Sequence, residues 1–276
     1  MIGGGTSRSA FTGSVAVVTG GSTGIGRATV RALAADGAQV VYCSHDPETI
    51  KEAGETFKEF GPAVTGVTAD VRSADDMRDL VQVAVERYGR LDILVCCAGV
   101  QTYGTVEDTS DEGWRRVIDT NLTGMFLAAK YAVPYLRAGG GGSIVNVSSV
   151  QGFAPHPRVL GYSVSKAGID ALTRSMAVDH AVDQIRVNSV APGPVRTPLV
   201  TVDGSRAPDR RRSRAVSSEA GLRGRSAEPE EIAAVIAFLC SPSASYITGV
   251  TVPVDGGNLA NPGHVLLSML VDEGAR

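Results

Sequence analysis

VAVVTGGSTGIGRATVRAL, residues 15–33, decides how the rest of the chain is read. A short apolar run ends in a glycine-rich turn, and an amphipathic stretch opens at Ile25-Gly26. Gly20 permits the tight turn, Gly24 lets the backbone approach a pyrophosphate, and Gly26 lets the helix start pack closely on the strand. The free N–H groups and positive dipole end of that helix then face the turn. Ser22, Thr23 and Ile25 complete the phosphate cradle. A glycine triplet alone is weak evidence; directly behind an apolar strand near the N-terminus it points to dinucleotide binding.

Outward from that turn, short apolar runs alternate with amphipathic stretches of ten or more residues. The pattern predicts strands at 15–19, 39–43, 64–68, 93–97, 143–147, 186–190 and 250–254. Helical patterns fall between them, among others at 27–36, 74–88, 111–138, 162–180 and 229–239. Alternating βα units imply a parallel sheet covered on both faces by right-handed crossovers. The expected class is therefore α/β, a Rossmann-like three-layer doubly wound sandwich with a mostly seven-stranded parallel sheet. The 33 glycines and 5% aromatics of this 276-residue chain suit that class better than a sandwich or a bundle. Residues 1–12 read as a flexible leader, 13–260 as one domain with a mobile lid near 198–226, and 261–276 as a C-terminal extension.

Composition removes several functions. A net charge of −3 argues against a general nucleic-acid binder. No apolar run reaches the roughly 18 residues of a membrane span. Cys43, Cys96, Cys97 and Cys240 are too few and too oddly spaced for a disulfide framework, and no metal-ligand cluster is present. The expectation is a reducing, cytoplasmic setting and no metal.

YSVSK places Tyr162 and Lys166 four residues apart, on one face of a helix. A phenol titrating near 10 is a poor acid at neutral pH, and a fixed ammonium beside it lowers that value. Thirteen residues earlier GSIVNVSSVQG ends a strand on Ser148 and Ser149. Together TGGSTGIG, NLTG at 121–124, the Ser149–Tyr162 interval, YSVSK, APGPVRT at 191–197 and VDGG at 254–257 resemble the short-chain dehydrogenase/reductase family. The motifs occur in order over nearly the whole chain.

The resemblance implies a catalytic set of Asn121, Ser149, Tyr162 and Lys166, with Ser148 as the neighbouring alternative to Ser149. Tyr162 would be the general acid/base, Ser149 would stabilise the substrate oxygen, Lys166 would hold the nicotinamide ribose and lower the Tyr162 pKa, and Asn121 would anchor a relay water. It also implies cofactor contacts at Asp70 and Val71, at Cys97, Ala98 and Gly99, and at Pro192, Gly193, Val195 and Thr197. At the end of the second strand an acidic residue would favour NAD. Ser44 stands there, with His45 where NADP-preferring members often place arginine, so NADP is favoured over NAD although Asp46 is near.

Between Ser149 and Tyr162, Gln151, Phe153, His156 and Val159 are candidates to line a substrate pocket, with Gln101 and Tyr103 beyond Gly99. The arginines at 206–214 read as a solvated lid or as a dock for an anionic substrate. The apolar patch at 265–270 suggests packing on another subunit, in a homodimer or homotetramer. The expected function is hydride transfer between a nicotinamide cofactor and a small carbonyl or secondary alcohol. The rivals are a same-fold epimerase or dehydratase and a non-catalytic cofactor-binding regulator. In ILVCCAGV, 93–100, the two cysteines read as small structural side chains on opposite faces of a strand. Cys97 replaces an asparagine that the family uses to tie the central strands.

Overall fold

The computed structural model describes residues 9–198 and 222–260. Seven parallel strands form one sheet: β1 Val15–Thr19, β2 Gln39–Ser44, β3 Val64–Thr68, β4 Ile93–Cys96, β5 Gly142–Val147, β6 Ile185–Pro192 and β7 Thr251–Val254. Their order is β3-β2-β1-β4-β5-β6-β7. The winding therefore reverses between β1 and β4, and the crevice beyond the carboxyl ends of those strands is where an open α/β sheet binds ligands.

Two apolar layers hold the sheet. On one face Leu80 of α3 (Ala74–Tyr88), Leu136 of α5 (Gly124–Ala138) and Ile169 of α6 (Leu160–Asp179) pack against Val17, Leu94 and Ile144. On the other, Leu33 of α1 (Gly24–Ala35), Ala53 of α2 (Pro47–Thr56) and Ile236 of α7 (Pro229–Cys240) cover Val18, Val40 and Val95. A fully buried Leu or Ile stabilises such a core by about 1.5–3 kcal/mol. Cys96 joins the first layer and Cys97 packs toward the second, as the alternation of a strand requires.

Three local features differ from the sequence expectation. Strand β4 ends at Cys96, not Cys97. Residues 9–12 of the expected leader are held: Phe11 is buried, its N–H donates to the Asp36 carbonyl at 3.1 Å, and Ala10 N donates to Asp36 Oδ1. The single helix expected at 111–138 is α4 (Asp111–Ile118), a π turn at Asp119–Thr123, and then α5. Apolar spacing of period 3.6 cannot report such a bulge, which inserts one residue and turns its side chain to a new partner. The sequence reading also did not single out α2, which Asp46 caps by accepting from Glu48 N. Most of the 198–226 lid, with the arginines at 206–214, and all of 261–276 lie outside the described residues. Among the described residues, no helix is long and apolar enough to cross a membrane.

Candidate active site

The glycine turn follows β1 directly. Gly20 has φ +65°, where a side chain is strained, and a Cβ there would lie 2.7 Å from Ala98 N. A Cβ on Gly26 would meet the Gly20 carbonyl oxygen at 2.1 Å, so helix and turn are in backbone contact. Thr23 caps α1 in extended conformation with no side-chain bond, and no acidic residue occupies the first turn. The first N–H groups of α1 are thus uncovered by any side-chain cap, a donor set that fits a pyrophosphate. Gly24 brings in the segment after β6, since its Cβ would touch Thr197 Cγ2 at 3.0 Å. That segment is fixed by Gly193 N donating to Val254 O and by a parallel bridge between Val195 and Ala227, with Pro192 ending β6.

At the end of β2, Ser44 Oγ lies 3.0 Å from Thr49 Oγ1, and the Ser22 hydroxyl donates to the same Thr49 oxygen at 3.0 Å. Thr49 thereby joins the glycine turn to the β2 terminus. Sequence reasoning missed it, although the Asp-Pro-Glu-Thr helix start at 46–49 was the signal. His45 is exposed, and the Asp46 carboxylate accepts from Glu48 N at 2.9 Å. After β3, Asp70 is forked by Arg72, Nη2 to Oδ2 at 2.6 Å, which holds its carboxyl below the usual range. Val71 packs against Gly124 at the start of α5, where a Cβ would come within 2.9 Å.

Residues 97–100 connect this cradle to the second cluster. Cys97 N donates to the Thr19 carbonyl and Ala98 N donates to the Thr19 side-chain oxygen Oγ1, so both residues are tied to the end of β1. A Cβ on Gly99 would stand 3.4 Å from Asn121 Oδ1 and 3.7 Å from Lys166 Nζ. Asn121, in the π turn, is fully buried; its Oδ1 accepts from Val100 N at 2.8 Å while Nδ2 donates to Val100 O at 2.9 Å and to Ser165 Oγ at 3.0 Å.

Tyr162 and Lys166 lie on the inner face of α6 and are both buried. The Lys166 ammonium donates to Val147 O at 2.8 Å and stands 5.3 Å from the centroid of the Tyr162 ring. Ser149 Oγ accepts from Gln151 N at 3.2 Å, and its hydroxyl acts to lower the pKa of the phenol. Ser148 is committed elsewhere, donating to Lys166 O at 3.0 Å. The expected lowering of the Tyr162 pKa by Lys166 is not what these contacts produce. Burial pushes the phenol up, the Ser149 hydroxyl working against it, and burial pulls the Lys166 ammonium down to about 8.

The substrate candidates divide. Gln151 adjoins Ser149 and has a buried Oε1 with no partner, whereas Phe153 is 51% exposed. His156 and Val159 line a cavity of about 330 Å³ with Thr105, Ser163 and Val164, and none of the four catalytic candidates borders it. Among the described residues, no group of three or more His, Cys, Asp or Glu side chains could hold a metal ion.

A switch-point crevice, a glycine cradle and a buried Tyr-Lys pair define a nucleotide-linked α/β enzyme class. A family model described as enoyl-(acyl carrier protein) reductase matches residues 12–258. The chain is 40% identical over 248 residues to bovine dehydrogenase/reductase SDR family member 4, covering 90% of this chain and 88% of that one. It is 41% identical over 252 residues to cis-4-hydroxycyclohexanecarboxylate dehydrogenase of Sinomonas cyclohexanicum, covering 91% and 98%. The ligand-free aldohexose dehydrogenase of Thermoplasma acidophilum superimposes with a TM-score of 0.81 at 34% identity, over 92% of this chain and 96% of that one. The chain belongs to the short-chain dehydrogenase/reductase family and is an oxidoreductase acting on alcohol and carbonyl groups.

Proposed function

We propose that the protein transfers hydride between NADP(H), in preference to NAD(H), and a small ketone or secondary alcohol, with Tyr162 as general acid/base. The observation that carries this reading is the segment 97–100. Ala98 packs on Gly20 of the phosphate cradle, while Gly99 abuts Asn121 and Lys166 of the catalytic cluster. One stretch of backbone therefore sets the distance between the two halves of a dinucleotide site. Gly20, Ser22, Thr23, Gly24, Ile25 and Gly26 would hold the pyrophosphate, and Asp70 and Val71 the adenine side.

Once bound, the cofactor supplies the hydride chemistry. In reduction, Tyr162 gives its phenolic proton to the substrate oxygen; in oxidation it takes the proton back. The Ser149 hydroxyl donates to the same oxygen and stabilises the charge developing there. Lys166 would hold the nicotinamide ribose from its place over the Tyr162 ring. Asn121 fixes 97–100 through Val100, and its Oδ1 keeps a lone pair for a relay water.

The preference for the phosphorylated cofactor is supported by Ser44 at the end of β2, where no carboxylate stands to repel a 2′-phosphate, and by Asp46 being committed to the cap of α2. Exposed Phe126 and Tyr135 of α5, with Val164 and Val178 of α6, support self-association. The test is oxidation of NADPH and NADH against a panel of ketones, sugars and cyclic hydroxy or oxo carboxylates. NADPH-linked turnover that Tyr162→Phe lowers by about a hundredfold or more is the expected result. Ketone reduction by Tyr162→Phe at near wild-type rate would sink the assignment.

A further inference from the structure

Tyr162 sits in the first turn of α6, and that turn has no side-chain cap. Val159 stands at the N-cap position without a side-chain hydrogen bond, and a β-branched aliphatic residue is a poor cap. What holds the helix start is Gly104, four residues past the Val100 that Asn121 fixes. Gly104 N donates to the Arg158 carbonyl at 2.7 Å, and the Gly104 carbonyl accepts from Leu160 N at 3.5 Å. Gly104 and Val159 also form a parallel bridge. A Cβ at 104 would lie 2.6 Å from Thr109 Oγ1, so the turn that follows leaves no room for a side chain there.

Arg158 closes this contact in a conformation that L side chains resist. Its φ is +64°, in the left-handed region, which only Gln184 shares among the described non-glycine residues. In that conformation the Arg158 carbonyl meets Gly104 N, and the side chain reaches back to the same segment, with Nη2 3.0 Å from Asp108 Oδ2. Asp108 is fixed in turn: the Thr105 hydroxyl donates to its Oδ2 at 3.0 Å, and Asp108 N donates to Thr105 Oγ1 at 3.3 Å. Thr109 N and Thr109 Oγ1 both donate to the Thr105 carbonyl, at 3.0 and 2.6 Å, so Asp108 stands on a closed turn.

We propose that Arg158 is a positioning residue for Tyr162: left-handed at the backbone and paired with Asp108, it fastens the uncapped start of α6 to the segment 100–109 and so fixes where the phenol meets the substrate. Both partners of the ion pair are about half exposed, so the pair adds little to global stability. Catalysis is sensitive to displacements of about 1 Å at the reacting atoms, so a contact too weak to matter for folding still matters for turnover. Lys166, one turn further on, has its own anchor in the Val147 carbonyl at 2.8 Å. The two members of the catalytic pair are thus held from different sides, and Tyr162 is the one whose side includes an exposed contact. The functional meaning of Arg158 rests on the oxidoreductase reading; the fastening of the helix start does not.

The test is a double-mutant cycle on the whole enzyme. Asp108→Asn and Arg158→Gly each abolish the charge pair, and glycine keeps the left-handed backbone without strain. Each should lower kcat for ketone reduction by about fivefold, the limit set by an exposed pair worth about 1 kcal/mol. The double variant should lose no more than either single one, because both act on one contact. Arg158→Lys should recover most of the loss, and the Kd for NADPH should not move, because Asn121 holds Val100 independently. Amide exchange read by NMR needs no turnover: Gly104 and Ser163, whose N–H groups bond Arg158 O and Val159 O, should exchange faster in Asp108→Asn, while amides further along α6 keep their rates. Should Arg158→Gly fail to fold, Arg158→Gln removes the same charge and completes the cycle. Additive losses overturn the proposal, and so does an unchanged kcat in folded variants. If the wild type shows no nicotinamide-linked turnover, the oxidoreductase reading fails and amide exchange alone decides, unchanged rates at Gly104 and Ser163 overturning the fastening.

Discussion

Lys166 stands over the ring of Tyr162, 5.3 Å from its centroid, and is anchored from behind by the Val147 carbonyl at 2.8 Å. The pair is therefore held by strand β5 as much as by the helix that carries it. Both side chains are taken out of water, and burial moves their pKa values apart, the phenol upward and the ammonium down to about 8. In the free enzyme Lys166 is the group that changes charge first as pH rises.

That order fixes a pH profile. The kcat/KM for ketone reduction should be flat through neutrality and fall as pH rises through about 8, with loss of the Lys166 charge. A profile flat to pH 10 would contradict it.

The same group destabilises the fold at neutral pH. Its folded pKa of about 8 lies below the ordinary 10.5, so below pH 8 both states are protonated and the full cost of burying the charge is present. Between those values the unfolded chain binds more protons, and stability rises with pH. The displacement corresponds to about 3 kcal/mol, and the lost bond to Val147 returns about 1. Lys166→Met should thus raise stability by about 2 kcal/mol at pH 7, with the gain shrinking above pH 8, while turnover is lost. Urea denaturation at pH 7 and pH 10 measures both.

Asn121→Ala leaves the N–H and carbonyl of half-buried Val100 without their partners. A loss of about 2 kcal/mol is expected, at the lower end of 1–3 kcal/mol for each unsatisfied group. It should come with a rise in the Kd for the cofactor, because 97–100 is freed. Cofactor binding unchanged in a folded Asn121→Ala would show that the segment is set by other contacts.

Gly26→Ala places a methyl where the Gly20 carbonyl already lies, at 2.1 Å. Backbone has to move, so the variant should lose about 3 kcal/mol or more and bind neither cofactor. Thermal melting with and without NADPH reads both effects.

The vicinal cysteines should be inert in the native protein. Burial pushes Cys43 and Cys97 up to about 12 and Cys96 upward as well. Iodoacetamide at pH 7.5 should leave activity intact, with alkylation appearing only after unfolding. Inactivation in step with Cys97 labelling would instead mark it as accessible and oxidation-sensitive.

Much of this molecule could be read from its residues because the signals were local. The seven strands announce themselves as apolar runs, and the glycine turn, the Ser149–Tyr162 interval and the Tyr162–Lys166 spacing are short-range patterns. What could not be read was set by partners distant in sequence. The π turn exists where Asn121 meets Val100, and nothing near residue 121 states that. Phe11 looked like part of a loose leader because its partner is Asp36. The direction of the Tyr162 pKa depends on how completely the site is buried, which spacing does not encode. His156 and Val159 lie between Ser149 and Tyr162 in the chain, yet the cavity they line opens beside Ser163.

Thr49 carries a consequence for anyone who redesigns this chain. Its hydroxyl oxygen bonds both Ser22 of the glycine turn and Ser44 at the end of β2. On the NADP(H) reading proposed above, the residue exchanged to reverse that preference is thus wired to the glycine turn. Installing a carboxylate at Ser44 changes more than which ribose is admitted. Thr49 already donates to the Asp46 carbonyl, so Ser44 is the donor in their bond, and a carboxylate there would set two acceptors against each other beside the residue that receives Ser22. An engineered switch toward NAD should therefore start with weakened affinity for both dinucleotides until Thr49 is re-optimised with it.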